Sequence, residues 1–426
     1  MKDAQDIIPD QAVGTVVIVG GGHAAGELAT GLREQGWGGQ IVVVGDEAHL
    51  PYQRPPLSKA FLDGKVAIEG LLLKPLATYE KAHVEFIRGV RVDVIDREAR
   101  AVHLSDGRSL SYTKLAIATG GRVRALPGED AERAVAAPNF HYLRTVDDAL
   151  RIRESLIAGA RLVVVGGGYV GLEVAATAVA HGLQVTVVEA APRLLARVTS
   201  PEMSAFFEET HRRAGVDVRT GTLVRGFEFD GERISAVLCG DGASIPADFV
   251  VVGVGLLPNV ELAAAAGLEV DNGIIVDELC RTSDPDIVAL GDCCNHPNPV
   301  VGRRIRLESV PNAVEQARTA AATLCGRERP YHMVPWFWSD QYGIKLKSVG
   351  LCEGYDRVVV RGVIGAPAFS VFYMNGEYVV AADIVNRPPE LLIAKRLVGE
   401  RPVVDPATLA DESVPLIKLL PAAKSG

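Results

Sequence analysis

The sequence lacks any pair of cysteines spaced for a disulfide framework or a dithiol redox centre. Its six cysteines form no CxxC or CxxxxC motif, and they stand at positions 239, 280, 293, 294, 325 and 352. Single reduced thiols are therefore expected, and dithiol chemistry is disfavoured. The nine histidines are scattered without metal-ligand spacing, so no metal site is predicted.

Long apolar runs are also absent. The longest covers residues 249–257 and stops at Pro258, whereas a helix needs about 18 apolar residues to cross a bilayer. The first eleven residues, MKDAQDIIPDQ, mix charges of both signs and have no apolar core of the kind that a signal peptide needs. We therefore expect a cytoplasmic protein without membrane association.

Basic residues are in deficit, with 44 Lys and Arg against 53 Asp and Glu, which gives a formal net charge of −9. General nucleic-acid binding is disfavoured, because nucleic-acid-binding domains carry an excess of Lys and Arg. Any anionic partner must be met by a local basic patch.

The sequence does contain the material for large apolar cores. It has 426 residues, of which 48% are hydrophobic and 23% charged. At about 150 residues per domain, this balance predicts a globular protein of two to three domains.

An internal repeat gives the fold class. TVVIVGGGHAAGELATGLREQG, from Thr15, matches RLVVVGGGYVGLEVAATAVAHG, from Arg161, at an offset of 146 residues. In each copy a second apolar run ends near an acidic residue, Asp46 in the first and Glu189 in the second. Each copy therefore predicts a strand, a glycine turn, a helix and a parallel strand. We expect an α/β fold with two doubly wound, Rossmann-like nucleotide-binding domains.

The remaining segments suggest a third domain. Alternating, turn-rich stretches at 90–95, 101–104 and 226–237 predict antiparallel strands. From about Pro335 the chain becomes rich in aromatics and alternating strands, which indicates a C-terminal α+β domain. The predicted boundaries are 1–120 with 250–332 for the first, discontinuous nucleotide domain, 121–249 for the second, and 333–426 for the C-terminal domain.

The glycines of the two turns suit dinucleotide binding. Small residues allow the tight turn and the close approach of a pyrophosphate to the helix N-terminus. They are Gly20, Gly22 and Ala25 in the first copy, and Gly166, Gly168 and Gly171 in the second.

The acidic strand ends favour a cofactor without a 2′-phosphate. A carboxylate at Asp46 or Glu189 accepts hydrogen bonds from a ribose diol and repels a phosphate. The alternative that Arg193 pairs with a 2′-phosphate stays open. Two dinucleotides in one chain suggest NAD with FAD, and the repeat alone does not assign the two sites.

Seven segments together resemble a known family. In order along the chain they are GGGHAAGELA, LPYQRPPLSKAFL, LAIATGG, GVGLLPN, VALGDCCN, LESVPNAVEQAR and FWSDQYGIKLKSVG. They resemble the FAD-dependent, NADH-dependent ferredoxin reductases of bacterial oxygenase and P450 systems. This is the type of putidaredoxin reductase and biphenyl dioxygenase reductase, within the glutathione-reductase-like superfamily. The similarity runs from Val13 to about Leu420.

The resemblance assigns the two sites. It implies that the first domain binds FAD, the second NADH, and that the C-terminal domain covers the flavin. The residues it implies for FAD are Gly20, Gly22, Ala24, Ala25, Asp46, Arg54, Lys59, Val92, Arg144, Asp292 and Val310. Those it implies for NADH are Gly166, Gly168, Gly171 and Glu189.

Three residues are expected to act at the flavin. The resemblance implies that Lys59 supplies a cation near the ring, paired with Glu173 on the second glycine-rich helix. It also implies that Trp338 lies beside the flavin. A helix over 310–324, with Ser309 as a possible N-cap, would favour the reduced flavin through its dipole.

The implied activity is that of an NADH:ferredoxin oxidoreductase. Hydride passes from NADH to FAD, and single electrons then pass to a small acidic [2Fe–2S] ferredoxin that feeds a P450 or Rieske-type oxygenase. Basic residues that could form the docking patch are Arg303, Arg304, Arg306, Lys345 and Lys347. We expect a monomer or weak homodimer.

Two alternatives stay open on the sequence. One is an NADH-sensing protein of the apoptosis-inducing-factor kind, which shares RPPLSK and the WSDQ segment. The other is a different enzyme, either an NADH oxidase or a rubredoxin reductase, and the latter would differ from a ferredoxin reductase only at its docking face.

Overall fold

The computed structural model describes residues 14–128 and 130–421. The N-terminal stretch MKDAQDIIPDQ, interpreted above as lacking a signal peptide, lies outside the described residues. Within the described part, no helix is both long enough and apolar enough to span a bilayer.

Strands are numbered here in chain order over the described residues. They are β1 Thr15–Val19, β2 Gln40–Gly45, β3 Val84–Arg88, β4 Val92–Asp96, β5 Ala101–Leu104, β6 Ser109–Ser111, β7 Lys114–Ile117, β8 Gly121–Val123, β9 Phe140–Tyr142, β10 Arg161–Val165, β11 Gln184–Val188, β12 Asp217–Arg219, β13 Val224–Asp230, β14 Arg233–Cys239, β15 Ser244–Pro246, β16 Phe249–Val252, β17 Leu256–Pro258, β18 Ile274–Ile275, β19 Ile287–Ala289, β20 Cys294–Asn298, β21 Arg303–Ile305, β22 Trp336–Gln341, β23 Ile344–Gly350, β24 Arg357–Arg361, β25 Phe369–Asn375 and β26 Tyr378–Val385.

Helices follow the same convention. They are α1 His23–Glu34, α2 Leu76–Lys81, α3 Ala131–Ala136, α4 Val146–Glu154, α5 Tyr169–Ala180, α6 Pro201–Arg213, α7 Glu261–Ala265, α8 Val310–Leu324, α9 Glu390–Glu400 and α10 Pro406–Ala410. Short 3₁₀ turns cover Pro55–Ser58, Ile68–Leu71 and Leu416–Leu419.

The chain forms two compact units. Among the described residues, the first unit comprises 14–53, 72–121 and 258–333. The second comprises 54–71, 122–257 and 334–421. The three-domain division given above stays a prediction.

The first unit is built on a parallel sheet of five strands in the order β19-β7-β1-β2-β3. Side chains of β1 alternate between its two faces, because successive residues of a strand point to opposite sides. Val16 and Ile18 pack with α1 and α8. Val17 and Val19 pack with the antiparallel sheet β4-β5-β6. Both faces are thus covered, as an all-parallel sheet requires.

The second unit repeats this plan. Its parallel sheet has the order β12-β11-β10-β16-β9. Leu172 of α5 and Phe207 of α6 belong to the apolar core that covers one face. The antiparallel sheet β13-β14-β15 covers the other, through Phe227 and Val237. The predicted pair of Rossmann-like modules is confirmed.

A second sheet completes this unit. It is antiparallel, in the order β22-β23-β26-β25-β24. Phe369, Val371 and Tyr373 of β25 lie in the same apolar core as Leu172 and Phe207. The C-terminal α+β segment and the second nucleotide module therefore share one core within this unit.

Candidate functional site

The first glycine of each turn has the same backbone conformation, with a positive φ. Gly20 has a φ of +112° and Gly166 a φ of +110°, which side-chain-bearing residues rarely adopt. A Cβ on Gly20 would lie 2.3 Å from the carbonyl oxygen of Ala118, and one on Gly166 would lie 2.4 Å from that of Gly253. Glycine is therefore required at both positions by the neighbouring strand end.

The helices that follow the turns begin with amides that no side chain caps. Gly22 is the N-cap of α1 and Gly168 that of α5, and neither helix has an acidic residue in its first turn. A Cβ at either glycine would meet nothing within 4 Å. Each helix N-terminus thus offers backbone N–H groups without a side-chain cap, and open space, to an anion.

The third small position differs between the copies. A Cβ on Gly171 would lie 2.3 Å from the carbonyl oxygen of Gly166, so glycine is needed there for close packing of the turn on the helix. Ala25, at the equivalent place in α1, is fully buried, and Ala24 is also buried. Ala24 contacts the β19 end of the sheet, since a Cβ on Gly291 would lie 3.2 Å from its Cβ.

The acidic strand ends also differ. The backbone N–H groups of Gly167 and Ala191 donate to Glu189 at 2.6 and 2.7 Å, so the carboxylate is held against the glycine turn. By sheet register the equivalent residue in the first unit is Gly45, which follows the Val19–Val44 pair as Glu189 follows Val165–Val188. Asp46 therefore stands one residue later, exposed to solvent.

The Arg193 side chain forms its hydrogen bonds within its own loop and with the start of α6. Its guanidinium donates to the carbonyl oxygens of Thr199 and Ala196 at 2.9 and 2.8 Å, and to Ser204 Oγ at 2.5 Å. These bonds fix the loop that follows Glu189. They leave little of Arg193 for the phosphate pairing that the sequence left open.

A buried ion pair lies at the middle of α5. Lys59 Nζ is 2.6 Å from Glu173 Oε2, and Glu173 is 5% exposed. Lys59 follows the 3₁₀ turn Pro55–Ser58, whose two prolines fix the backbone that presents it. The structure thus brings together the lysine and the glutamate that the resemblance pairs, while their catalytic roles stay predictions.

Two serines that the sequence did not single out complete this cluster. Ser58 Oγ donates to Glu173 Oε2 at 2.5 Å, and Ser339 Oγ donates to Glu173 Oε1 at 2.6 Å. Ser58 is adjacent to Lys59 in the RPPLSK motif and could have been found there. Ser339 lies 166 residues from Glu173, and no spacing in the sequence connects them.

The other residues expected at the flavin fall in both units. In the second unit, Arg54 Nη1 donates to the carbonyl oxygen of Arg144 at 2.6 Å. In the first unit, Val92 is buried at the start of β4, and Val310 begins α8 after the capping residue Ser309. Asp292 follows Gly291, whose N–H donates to Gln316 Oε1 at 2.7 Å.

Strand alternation separates Trp338 from the ion pair. Ser339 points from β22 toward Glu173, so its neighbour Trp338 points to the opposite face. There it lies 5.8 Å from Trp336, ring centroid to centroid, and Lys347 Nζ lies 5.4 Å from the Trp338 ring centroid. Its place beside the flavin stays a prediction.

Comparison with known proteins places the chain in a family. A model of the pyridine nucleotide-disulphide oxidoreductases matches residues 14–317, and one of the reductase C-terminal domain matches residues 336–420. The chain therefore belongs to the pyridine nucleotide-disulphide oxidoreductase family and is an oxidoreductase. Its six cysteines are free thiols, so it lacks the disulfide of the family's name.

The relatives specify the subgroup. Putidaredoxin reductase CamA of Pseudomonas putida is 53% identical over 413 residues, which cover 96% of this chain and 97% of that protein. Rhodocoxin reductase of Rhodococcus erythropolis is 44% identical, with 93% and 92% covered. A crystal structure of the covalent putidaredoxin reductase–putidaredoxin complex matches with a TM-score of 0.93 at 52% identity, covering 97% of this chain and 99% of that one. The predicted ferredoxin-reductase family is confirmed.

The residues present fit the two cofactors of this family, FAD and NAD(H), and that predicted pair is confirmed. The fit rests on the uncapped helix N-termini after Gly22 and Gly168, where an added Cβ would meet open space. A dinucleotide pyrophosphate needs both the amides and the space.

Proposed function

We propose that this chain is an NADH:ferredoxin oxidoreductase that supplies a P450 or Rieske-type oxygenase with electrons through a small acidic [2Fe–2S] ferredoxin. The observation that carries the proposal is the buried Lys59–Glu173 pair on the helix of the second glycine turn. The named activities of the relatives support the same reaction. Its balance is NADH plus two oxidised ferredoxins giving NAD⁺, two reduced ferredoxins and one proton.

FAD, when bound, supplies the chemistry that joins a two-electron donor to one-electron acceptors. The protein's part is to hold the reactants and to place charge. Gly20, Gly22, Ala24, Ala25 and Asp46 would hold its adenosine half, and Arg54, Lys59, Val92, Arg144, Asp292 and Val310 would contact the rest. Lys59 would keep a cation where negative charge develops, in a site shielded from water.

For the second dinucleotide we propose NADH rather than NADPH. Gly166, Gly168 and Gly171 would receive its pyrophosphate, and Glu189 its adenosine ribose. The fixed Glu189 carboxylate repels a 2′-phosphate, and the guanidinium of Arg193, which could offset this repulsion, is engaged in hydrogen bonds within its own loop and with the start of α6.

The ferredoxin is proposed to dock through basic residues, which form two groups that each lie within one unit. Lys345 and Lys347 lie on β23, and Arg303, Arg304 and Arg306 lie on or just after β21. Arg306 is paired with Glu308 at 2.6 Å and Arg304 donates to two carbonyl groups. The two lysines are therefore the better candidates for attracting an acidic partner. A cytoplasmic location stays a prediction.

The test is anaerobic stopped-flow mixing of the purified holoprotein with NADH, and separately with NADPH, followed by a [2Fe–2S] ferredoxin. Fast bleaching of the flavin by NADH, slower bleaching by NADPH and rapid reoxidation by ferredoxin are expected. Slow bleaching to a persistent long-wavelength complex that ferredoxin does not discharge would contradict the proposal.

A further inference from the structure

Glu173 is the end of a string of hydrogen bonds that begins at the protein surface. Tyr342 OH lies 3.0 Å from His211 Nδ1, and His211 Nε2 lies 2.8 Å from Gln341 Oε1. Gln341 Nε2 lies 3.1 Å from Ser339 Oγ, which lies 2.6 Å from Glu173 Oε1. We call Tyr342, His211, Gln341 and Ser339 the donor string; all lie in the second unit.

The fold creates this string by strand alternation. Ser339 and Gln341 are two residues apart on β22, so both side chains point to the face that α5 and α6 cover. His211 comes from the last turn of α6, and Tyr342 from the turn between β22 and β23. Ser339, Gln341 and His211 are each at most 2% exposed, whereas Tyr342 is 36% exposed.

The chemistry of the groups gives every bond one direction. An ionised carboxylate only accepts, so the single hydroxyl proton of Ser339 is donated to Glu173. Ser339 must then accept from the amide NH₂ of Gln341, which turns Gln341 Oε1 toward His211. An amide oxygen also only accepts, so His211 carries its proton on Nε2 and accepts the hydroxyl proton of Tyr342 on Nδ1.

Aligned hydrogen bonds polarise one another, and the string therefore delivers more positive potential to Glu173 Oε1 than Ser339 alone would. The opposite oxygen, Oε2, faces Lys59 and Ser58. The carboxylate is thus held on both sides, and its orientation toward Lys59 is fixed.

We propose that His211 and Gln341 are positioning residues of the reductase, which hold the Glu173 carboxylate aimed at Lys59 through Ser339. The effect of the Lys59–Glu173 pair on the reaction rests on the proposed function, whereas the hydrogen-bond directions do not depend on it.

The titratable groups around the string carry no competing charge. Burial lowers the pKa of His211, so its ring is neutral at physiological pH. Burial raises the pKa of Tyr342, and it raises that of Tyr169, whose charged form would oppose Glu173, well above the usual value. Lys59 is the charged side chain in contact with Glu173 within the described residues.

The first test measures hydride transfer from NADH by stopped flow between pH 5.5 and 8.5 in holoprotein carrying His211→Leu or Gln341→Leu. Loss of one hydrogen bond from the string lets the Glu173 carboxylate turn away from Lys59 and is expected to lower the rate constant about tenfold across this pH range. The NADH concentration for half-saturation should change less than about twofold. His211→Gln, whose amide can donate in place of Nε2, should restore the wild-type profile.

A matched control separates this effect from loosened packing. His181 is the C-cap residue of α5, the helix that carries Glu173, and its Nε2 lies 2.9 Å from Asp63 Oδ1, outside the donor string. His181→Asn should leave the pH profile of hydride transfer unchanged. If it reproduces the profile of His211→Leu, or if His211→Leu and Gln341→Leu keep the wild-type profile, the inference is wrong.

A second readout does not depend on activity. Histidine-selective ¹⁵N NMR of the wild-type holoprotein, with the His211 signal identified from its loss in His211→Gln, should show the Nε2–H tautomer. An Nδ1–H tautomer would overturn the inference even if the wild type failed to react with NADH. Failure of the wild type to react, with the Nε2–H tautomer present, would instead count against the proposed function alone.

Discussion

At the scale of single residues, the internal repeat provides two equivalent lysine–glutamate pairs that can be compared. Glu27 of α1 and Glu173 of α5 occupy equivalent places five residues after their N-cap glycines, and each pairs with a lysine. Lys74 Nζ lies 2.9 Å from Glu27, whose side chain is 23% exposed, and Lys59 Nζ lies 2.6 Å from the 5%-exposed Glu173. The two pairs differ mainly in their burial.

Replacement of the two lysines is therefore expected to have unequal costs. Lys59→Met leaves a buried carboxylate without its cation and should reduce the free energy of unfolding by about 3 kcal/mol. Lys74→Met should cost less than about 1 kcal/mol, because water screens the partly exposed pair. Thermal denaturation of both holoprotein variants measures the difference. Equal losses would show that burial of the glutamate does not set the cost.

Another residue-scale prediction concerns His296 in the first unit. Burial, with a smaller contribution from Arg304, lowers the pKa of His296 from 6.5 to about 4. Neither of its ring nitrogens has a hydrogen-bond partner among the described residues, and the ring packs on Tyr331 at 4.5 Å between centroids. The folded state thus excludes a proton that the unfolded chain binds.

The direction in which stability changes with pH follows from this exclusion. The contribution of His296 to stability is complete above pH 6.5 and is lost as the pH falls toward 4. At pH 5 the loss amounts to about 2 kcal/mol of the free energy of unfolding. His296→Phe, which keeps a ring against Tyr331, should show a smaller fall in melting temperature between pH 7 and pH 5 than the wild type. Parallel curves for the two proteins would contradict the prediction.

At the scale of elements, the two kinds of turn glycine predict different defects. Gly166→Ala forces a Cβ against the carbonyl oxygen of Gly253 and should lower the melting temperature. Gly168→Ala places its Cβ in open space at a φ of −81°, so the fold should keep its stability. The methyl group would stand where we propose that the pyrophosphate binds, and NADH affinity should fall at least tenfold.

Equilibrium titration with NADH and a thermal melt of each variant separate the two outcomes. A stable Gly168→Ala protein with wild-type NADH affinity would remove the second glycine turn from the proposed site.

Elements were more predictable from the sequence than contacts. The repeat predicted both parallel sheets, because an apolar run, a glycine turn, a helix and a second apolar run are local patterns. The expected helix over 310–324 coincides with α8, whose Ser309 accepts a hydrogen bond from Asn312 N–H. By contrast, Ser339, Gln341 and His211 reach Glu173 from distant parts of the chain, and no periodicity connects them.

The register of the strands could not be predicted from the sequence either. The second module has Glu189 at the position where the first has Gly45, which lies against the glycine turn so closely that a Cβ would be 3.0 Å from Gly21 Cα. The acidic residue of the first module is Asp46, one position later. Only the pairing of the strands reveals the displacement.

At the scale of the whole molecule, the proposed docking makes ferredoxin reduction depend on salt. Charge reversal at Lys345 or Lys347 should lower kcat/KM for ferredoxin about tenfold at low ionic strength and flatten its decline with added salt. Flavin bleaching by NADH should not change. Arg304→Glu tests the other basic group in the same assay.

The exposed Lys418 provides the matched control for these reversals. Lys418→Glu makes the same change in net charge at a residue that belongs to neither group and should keep the wild-type salt dependence. If every reversal keeps that dependence, the ferredoxin binds elsewhere on the surface.

The order of the chain has a consequence for synthesis on the ribosome. The apolar face of α1, with Leu28 and Leu32, is covered by α8, which comes almost three hundred residues later. Between them lie all the strands of the second parallel sheet. At about 5–20 residues per second, the emerging N-terminal helix waits on the order of tens of seconds for its partner. During that interval the apolar face of α1 is without the helix that covers it in the folded protein.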